Sequence, residues 1–94
     1  MAHLKGQKES ERIGVLTLHR VFEAGIIKDY SVSIDGGAHV GTWTVALAKR
    51  FERVLAFEPA PETFAFLKEN LVRHRNVELG QWALMDVVGR VRVQ

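Results

Sequence analysis

The chain has no cysteine. Disulfide frameworks, cysteine-ligated zinc and cysteine nucleophiles are therefore excluded together. The absence also fits a reducing compartment, and the cytoplasm is the expected location. Long apolar runs are missing too. The longest is far short of the roughly 20 residues that a membrane span needs, and the polar start, MAHLKGQKESER, has no hydrophobic leader core. No membrane role is expected. Charge of one sign is scarce as well: 13 Lys and Arg stand against 11 Asp and Glu, a net charge of +2. That surplus is too small to argue for nucleic acid. Proline occurs twice, as Pro59 and Pro61, and tyrosine once. With 94 residues there is room for one domain and no more.

The residues that are present alternate in type along the chain. Residues 1–10 are polar and expected to fray. From Glu11, apolar residues at Ile13, Leu16, Leu18, Val21 and Phe22 recur at helical steps, with Ser10 as candidate N-cap and Gly25 as stop. Residues 31–35 read as a strand, and Gly36 to Gly41 as a turn. Thr42 to Glu52 reads as a helix with Val40, Trp43, Leu47, Ala48 and Phe51 on one side. RVLAF, residues 53–57, is a continuous apolar strand, the pattern expected where helices cover both faces of a parallel sheet. Pro61 suits the first position of a helix running to about Arg73, because its missing N–H is not needed there. Residues 76–79 form a third strand, Gly80 to Asp86 a loop, and GRVRVQ a short last strand. The expectation is an α/β, Rossmann-like three-layer sandwich: a partial domain over residues 1–94, with parallel strands in the order 3-2-1 plus the short C-terminal strand.

Ligands of open α/β sheets sit outside the carboxyl ends of the strands. Asp35 closes the first strand and Glu58 the second. A phosphate-binding loop needs a lysine before its hydroxyl residue, and Thr42 follows Gly41 directly. The dinucleotide fingerprint G-x-G-x-x-G fails on the spacing of Gly36, Gly37 and Gly41, and Asp35 would repel a pyrophosphate. A cationic nucleoside, S-adenosylmethionine, suits an acid beside closely approachable glycines. An acid about 20 residues past such a turn commonly accepts hydrogen bonds from ribose hydroxyls, which is where Glu58 stands. The remaining alternative is a purely structural turn, capped by Asp35.

Three segments in this order, SIDGGAHVGTWT, VLAFEPAPETFAFLKENL and NVELGQWAL followed by VGRVRV, resemble the N-terminal half of FkbM-type class I S-adenosylmethionine-dependent methyltransferases. The resemblance covers Tyr30 to Gln94. Its specificity lies in the combination of D-x-G-A-x-x-G, F-E-P and L-x-x-N-L. It implies a cofactor loop from Asp35, Gly36, Gly37, Ala38, His39 and Gly41. Glu58 would take the ribose with Pro59 beside it, and Gln81 and Trp82 would lie near the adenine. His39 departs from the family, which commonly has Asn there. The implied activity is O-methylation of a sugar or other small acceptor, with no catalytic base identifiable. The later strands of such a domain are missing, so a non-catalytic half-domain acting as a binding or assembly module is the rival reading. The first strand would then be a sheet edge, and a homodimer or other oligomer is expected through it. The histidines have no metal-ligand spacing. The basic cluster RHRN, residues 73–76, is explained by a helix dipole, and no nucleic-acid partner is expected.

Overall fold

A computed structural model describes residues 3–83 and Met85. Six elements follow one another: α1 (Glu9–Glu23), β1 (Val32–Gly36), α2 (Thr42–Ala48), β2 (Arg53–Phe57), α3 (Pro61–Leu71) and β3 (Val77–Gly80). The strands form one parallel sheet in the order β1-β2-β3. This is the expected 3-2-1 half of a Rossmann-like sheet, and its β1 edge carries no neighbour among the described residues. The expected last strand, residues 89–94, lies outside them.

The register sets the two faces of the sheet. Ser33 pairs with Val54 and Asp35 with Ala56, while Val54 pairs with Val77 and Ala56 with Leu79. Val54 and Ala56 are fully buried. Val54 packs with Val15, Leu18 and Phe22 of α1 and with Ala46 to Ala48 of α2. Ala56 packs with Leu67 and Leu71 of α3. All three helices therefore cover the Val54–Ala56 face. The other face carries Val32, Ile34, Leu55 and Phe57 by the same alternation. Val32 remains 49% exposed and Ile34 59%. The continuous apolar run of β2 would suit cover on both faces, but among the described residues it has cover on one.

The ends of the helices correct several expectations. α1 begins before Ser10: Lys8 takes the N-cap position in extended conformation with no side-chain hydrogen bond, and Ser10 lies within the helix. Glu9 and Glu11 complement the dipole at this end instead. The buried stripe is Val15, Leu18 and Phe22, whereas Ile13 and Leu16 are exposed. Gly25 does stop the helix. Its φ is 67°, and its N–H donates to the Phe22 carbonyl at 3.1 Å. α2 ends at Ala48 rather than Glu52, because the Asn76 side-chain amide donates to the carbonyls of Ala48 and Phe51 at 2.8 and 2.9 Å. Those carbonyls would otherwise be orphaned at a helix end.

The N-terminal stretch, expected to fray, runs across α3. Lys5 N–H donates to Asn70 Oδ1 at 3.0 Å, and Asn70 Nδ2 donates back to the Lys5 carbonyl at 3.0 Å. One carboxamide thus satisfies both backbone groups of Lys5 and fixes the segment. The same Nδ2 donates to the Val40 carbonyl at 2.7 Å, which ties α3 to the glycine turn.

The sheet's hydrogen bonding does not stop where the strands do. Ala38 N–H donates to the Phe57 carbonyl at 2.9 Å, and Glu58 N–H to the Gly80 carbonyl at 3.1 Å. No helix among the described residues is long and apolar enough to cross a membrane.

Candidate functional site

The turn after β1 is built from unusual backbone. Gly37, His39 and Gly41 all have positive φ, at 68°, 53° and 103°. Glycine adopts these angles without the steric cost that a Cβ brings. Histidine tolerates the left-handed region better than most residues, and His39 accordingly occupies it. Gly41 has a second reason to be glycine. A Cβ there would stand 2.5 Å from Leu71 Cδ2 and 3.1 Å from Leu67 Cδ1, so the turn sits directly on α3.

Glu58 secures this turn from β2. It is buried, with 5% of its surface exposed. Its Oε1 accepts the His39 N–H at 2.9 Å and its Oε2 accepts the Ala60 N–H at 3.1 Å. Two charge-assisted bonds to main-chain amides make a strong clamp. Both carboxylate oxygens are therefore occupied by the protein's own backbone.

Asp35 faces the helices beside this clamp. Its Oδ2 accepts the Thr44 hydroxyl at 2.6 Å. Burial pushes its carboxyl above the ordinary value of 3.8, opposed by the Thr44 hydrogen bond and the nearby His39. The folded chain thus holds this proton to higher pH than the unfolded chain does. Stability falls as pH rises from 3.8 through the raised value, and the penalty vanishes below 3.8, where both states are protonated. Asp35→Asn keeps an acceptor for Thr44 and removes the penalty. The variant is expected to melt at a higher temperature than the parent at neutral pH, with the two melting curves converging toward acid. A lower melting temperature at neutral pH would contradict this account.

The turn opens on a cavity of about 630 Å³. Asp35, Gly36, Gly37, Ala38 and His39 line it from the sheet side. Gly41 supports the turn from behind, against α3. Glu58 is buried behind the turn and does not line the cavity; Pro59 is exposed next to it. Gln81 and Trp82 are exposed at the end of β3, where the Trp82 ring lies close over Gly80. The structure therefore gathers five of the ten candidate residues around one cavity and leaves the other five outside its lining.

The opposite wall was not anticipated from the sequence. It includes Ser10, Glu11, Gly14 and Leu18 of α1 with Thr42, Trp43 and Leu47 of α2. Trp43, expected on the core side of α2, is instead 40% exposed.

A parallel three-stranded half-sheet, a glycine turn after the first strand and an acid after the second define part of the class I S-adenosylmethionine-dependent methyltransferase fold. The comparisons with known proteins agree on that class. The chain is 33% identical over 67 residues to ribosomal RNA small subunit methyltransferase A of Staphylococcus haemolyticus (strain JCSC1435), covering 71% of this chain and 23% of that protein. It is 29% identical over 59 residues to methyltransferase 1 of Beauveria bassiana (strain ARSEF 2860), covering 61% of this chain and 24% of that protein. The crystal structure of precorrin-6y C5,15-methyltransferase from Geobacter metallireducens GS-15 superimposes with a TM-score of 0.68 at 22% identity, over 94% of this chain and 47% of that one. The chain spans about a quarter of the length of the curated relatives it matches. No family model matches it.

Proposed function

We propose that this chain forms the cofactor-binding part of an S-adenosylmethionine-dependent methyltransferase. The observation that carries the reading is the cavity at the β1 turn. It brings a carboxylate and exposed glycine backbone together at the carboxyl end of a parallel strand, and among the described residues no lysine or arginine lines it. A phosphate-bearing nucleotide would meet the Asp35 carboxylate there. A sulfonium nucleoside would meet attraction. Asp35 Oδ2 is occupied by Thr44, which leaves Oδ1 for the ligand.

In this reading Gly36, Gly37, Ala38 and His39 surround the methionine end, and Gly41 holds the turn. The resemblance gives Glu58 to the ribose, but with both oxygens on backbone amides and outside the cavity lining, its part in this reading is to hold the turn that shapes the site. Pro59, Gln81 and Trp82 form the far rim, toward the adenine. Methyl transfer itself requires in-line placement of a nucleophile against the sulfonium methyl. The resemblance to FkbM-type enzymes points to a hydroxyl of a sugar or small molecule as acceptor. A second reading, an RNA acceptor, is favoured by the name of the Staphylococcus relative. A binding module without turnover stands beside both.

Isothermal titration of the chain with S-adenosylhomocysteine, beside Asp35→Asn, tests the reading. The parent is expected to bind, and the variant to bind about tenfold more weakly, as when a charged hydrogen-bond partner is lost. A folded parent that gives no binding heat would overturn it. Transfer of labelled methyl to a small-acceptor pool or to ribosomal RNA separates the acceptor readings, and transfer to neither supports the module. The open β1 edge supports a homodimer, and a monomer by light scattering at high micromolar concentration would exclude that assembly.

A further inference from the structure

The cavity has a second acidic wall that the family resemblance does not supply. Glu11 reaches it from the first turn of α1. Its Oε2 is 3.4 Å from the Thr42 hydroxyl, which accepts Gln7 Nε2 at 2.7 Å. This chain of contacts aims the carboxylate at the start of α2. The neighbouring Arg12 does not neutralise it, because Arg12 pairs with Glu9 at 3.5 Å. Beside Glu11 stands the half-exposed indole of Trp43. A Cβ on Gly14 would lie 3.9 Å from Trp43 Nε1, an ordinary contact distance, so the ring lies against the surface of α1.

A concave space of about 630 Å³ that combines two carboxylates, an indole and, among the described residues, no lysine or arginine is suited to an organic cation. The carboxylate supplies charge, and the ring supplies a polarisable surface that needs no desolvated partner. We infer that Glu11 and Trp43 are ligand-binding residues that receive the cationic methionine end of the methyl donor, opposite Asp35. The inference rests on the reading of the cavity as a cofactor site and adds the helix before the sheet to that site. The donor's methionine end carries an ammonium and a sulfonium against one carboxylate, a net positive charge. The wall therefore favours the charged donor over its neutral-sulfur product.

Three ligands separate the parts of this claim. S-adenosylmethionine has both cations, S-adenosylhomocysteine only the ammonium, and 5′-methylthioadenosine neither. Titrations of the parent chain, Glu11→Gln and Trp43→Leu are compared. Glu11→Gln is expected to bind the first two ligands about tenfold more weakly and 5′-methylthioadenosine as the parent does. Trp43→Leu is expected to lose about fivefold on S-adenosylmethionine and less on S-adenosylhomocysteine. Glu11→Gln that binds S-adenosylmethionine within about twofold of the parent, or that loses all three ligands equally, overturns the assignment of Glu11. Equal losses across the ligands in Trp43→Leu overturn that of Trp43. A parent that binds S-adenosylhomocysteine while Glu11→Gln changes nothing sinks this inference and leaves the cofactor reading standing. A parent that binds none of the three removes both.

Discussion

Gly41→Val is expected to abolish the cooperative thermal transition of this chain. Two costs add at that position. Its φ of 103° lies where side chains are strained, at about 1–2 kcal/mol. The new side chain would also enter α3, where even a Cβ falls 2.5 Å from Leu71 Cδ2. Leu67 and Leu71 are among the most buried residues in the molecule, at 0% and 3% exposure, and cannot yield without opening the core. Overpacking of this kind adds about 1–3 kcal/mol. The total, about 2–5 kcal/mol, reaches at its upper end the entire stability of a marginal domain of this size. Gly37→Ala is the control. Gly37 also has positive φ, but a Cβ there meets nothing within 4 Å. It should cost only the backbone strain, about 1 kcal/mol, and retain a cooperative melt. Circular dichroism melts of both variants decide the matter: similar losses would show that packing against α3 is not what fixes Gly41.

Glu58→Gln is expected to destabilise the chain by about 2 kcal/mol, because a carboxamide can accept only one of the two amides the carboxylate now holds. Its NH₂ group would face a second N–H, either that of His39 or that of Ala60. For a domain of this length the melting temperature should fall by roughly 8–16 °C. Urea unfolding is the check, and a midpoint equal to the parent's would mean that the clamp does not hold the turn. The result bears on how the site is tested. Loss of ligand binding in Glu58→Ala cannot be read as loss of a ribose contact, because the substitution frees the amides that shape the turn. Asp35→Asn, which keeps the Thr44 contact and removes only charge, is the cleaner variant for function.

Much of this fold is legible in the sequence. Arg53 to Phe57 is a strand from end to end, Pro61 opens α3, and Gly25 closes α1, because apolar runs and the backbone chemistry of proline and glycine act locally. What is not legible depends on partners distant in sequence. Thr42 to Glu52 has nothing within itself to say that it stops at Ala48; Asn76, far along the chain, ends it. The helical pattern of α2 puts Trp43 with the core, but the ring lies partly exposed beside Gly14 of α1, a neighbour distant in sequence. Of the apolar residues that suggest a core stripe on α1, Leu18 and Phe22 are buried, together with Val15, while Ile13 and Leu16 face away. The turn at Asp35 and the acid at Glu58 are both evident as a candidate site. The hydrogen bond from His39 N–H to Glu58 is not, since it depends on the left-handed backbone of His39.

The extension of the sheet's ladder past its strands bears on kinetics. Ala38 is bonded to Phe57 across the strand gap, and Glu58 to Gly80, so the turn inherits its order from β2 and β3. A loop set in this way has little freedom left to lose on association, and a ligand bears little of the entropy that ordering it would cost. Capture should then proceed in one step at an encounter-limited rate, and differences in affinity between ligands should appear in how long each stays bound.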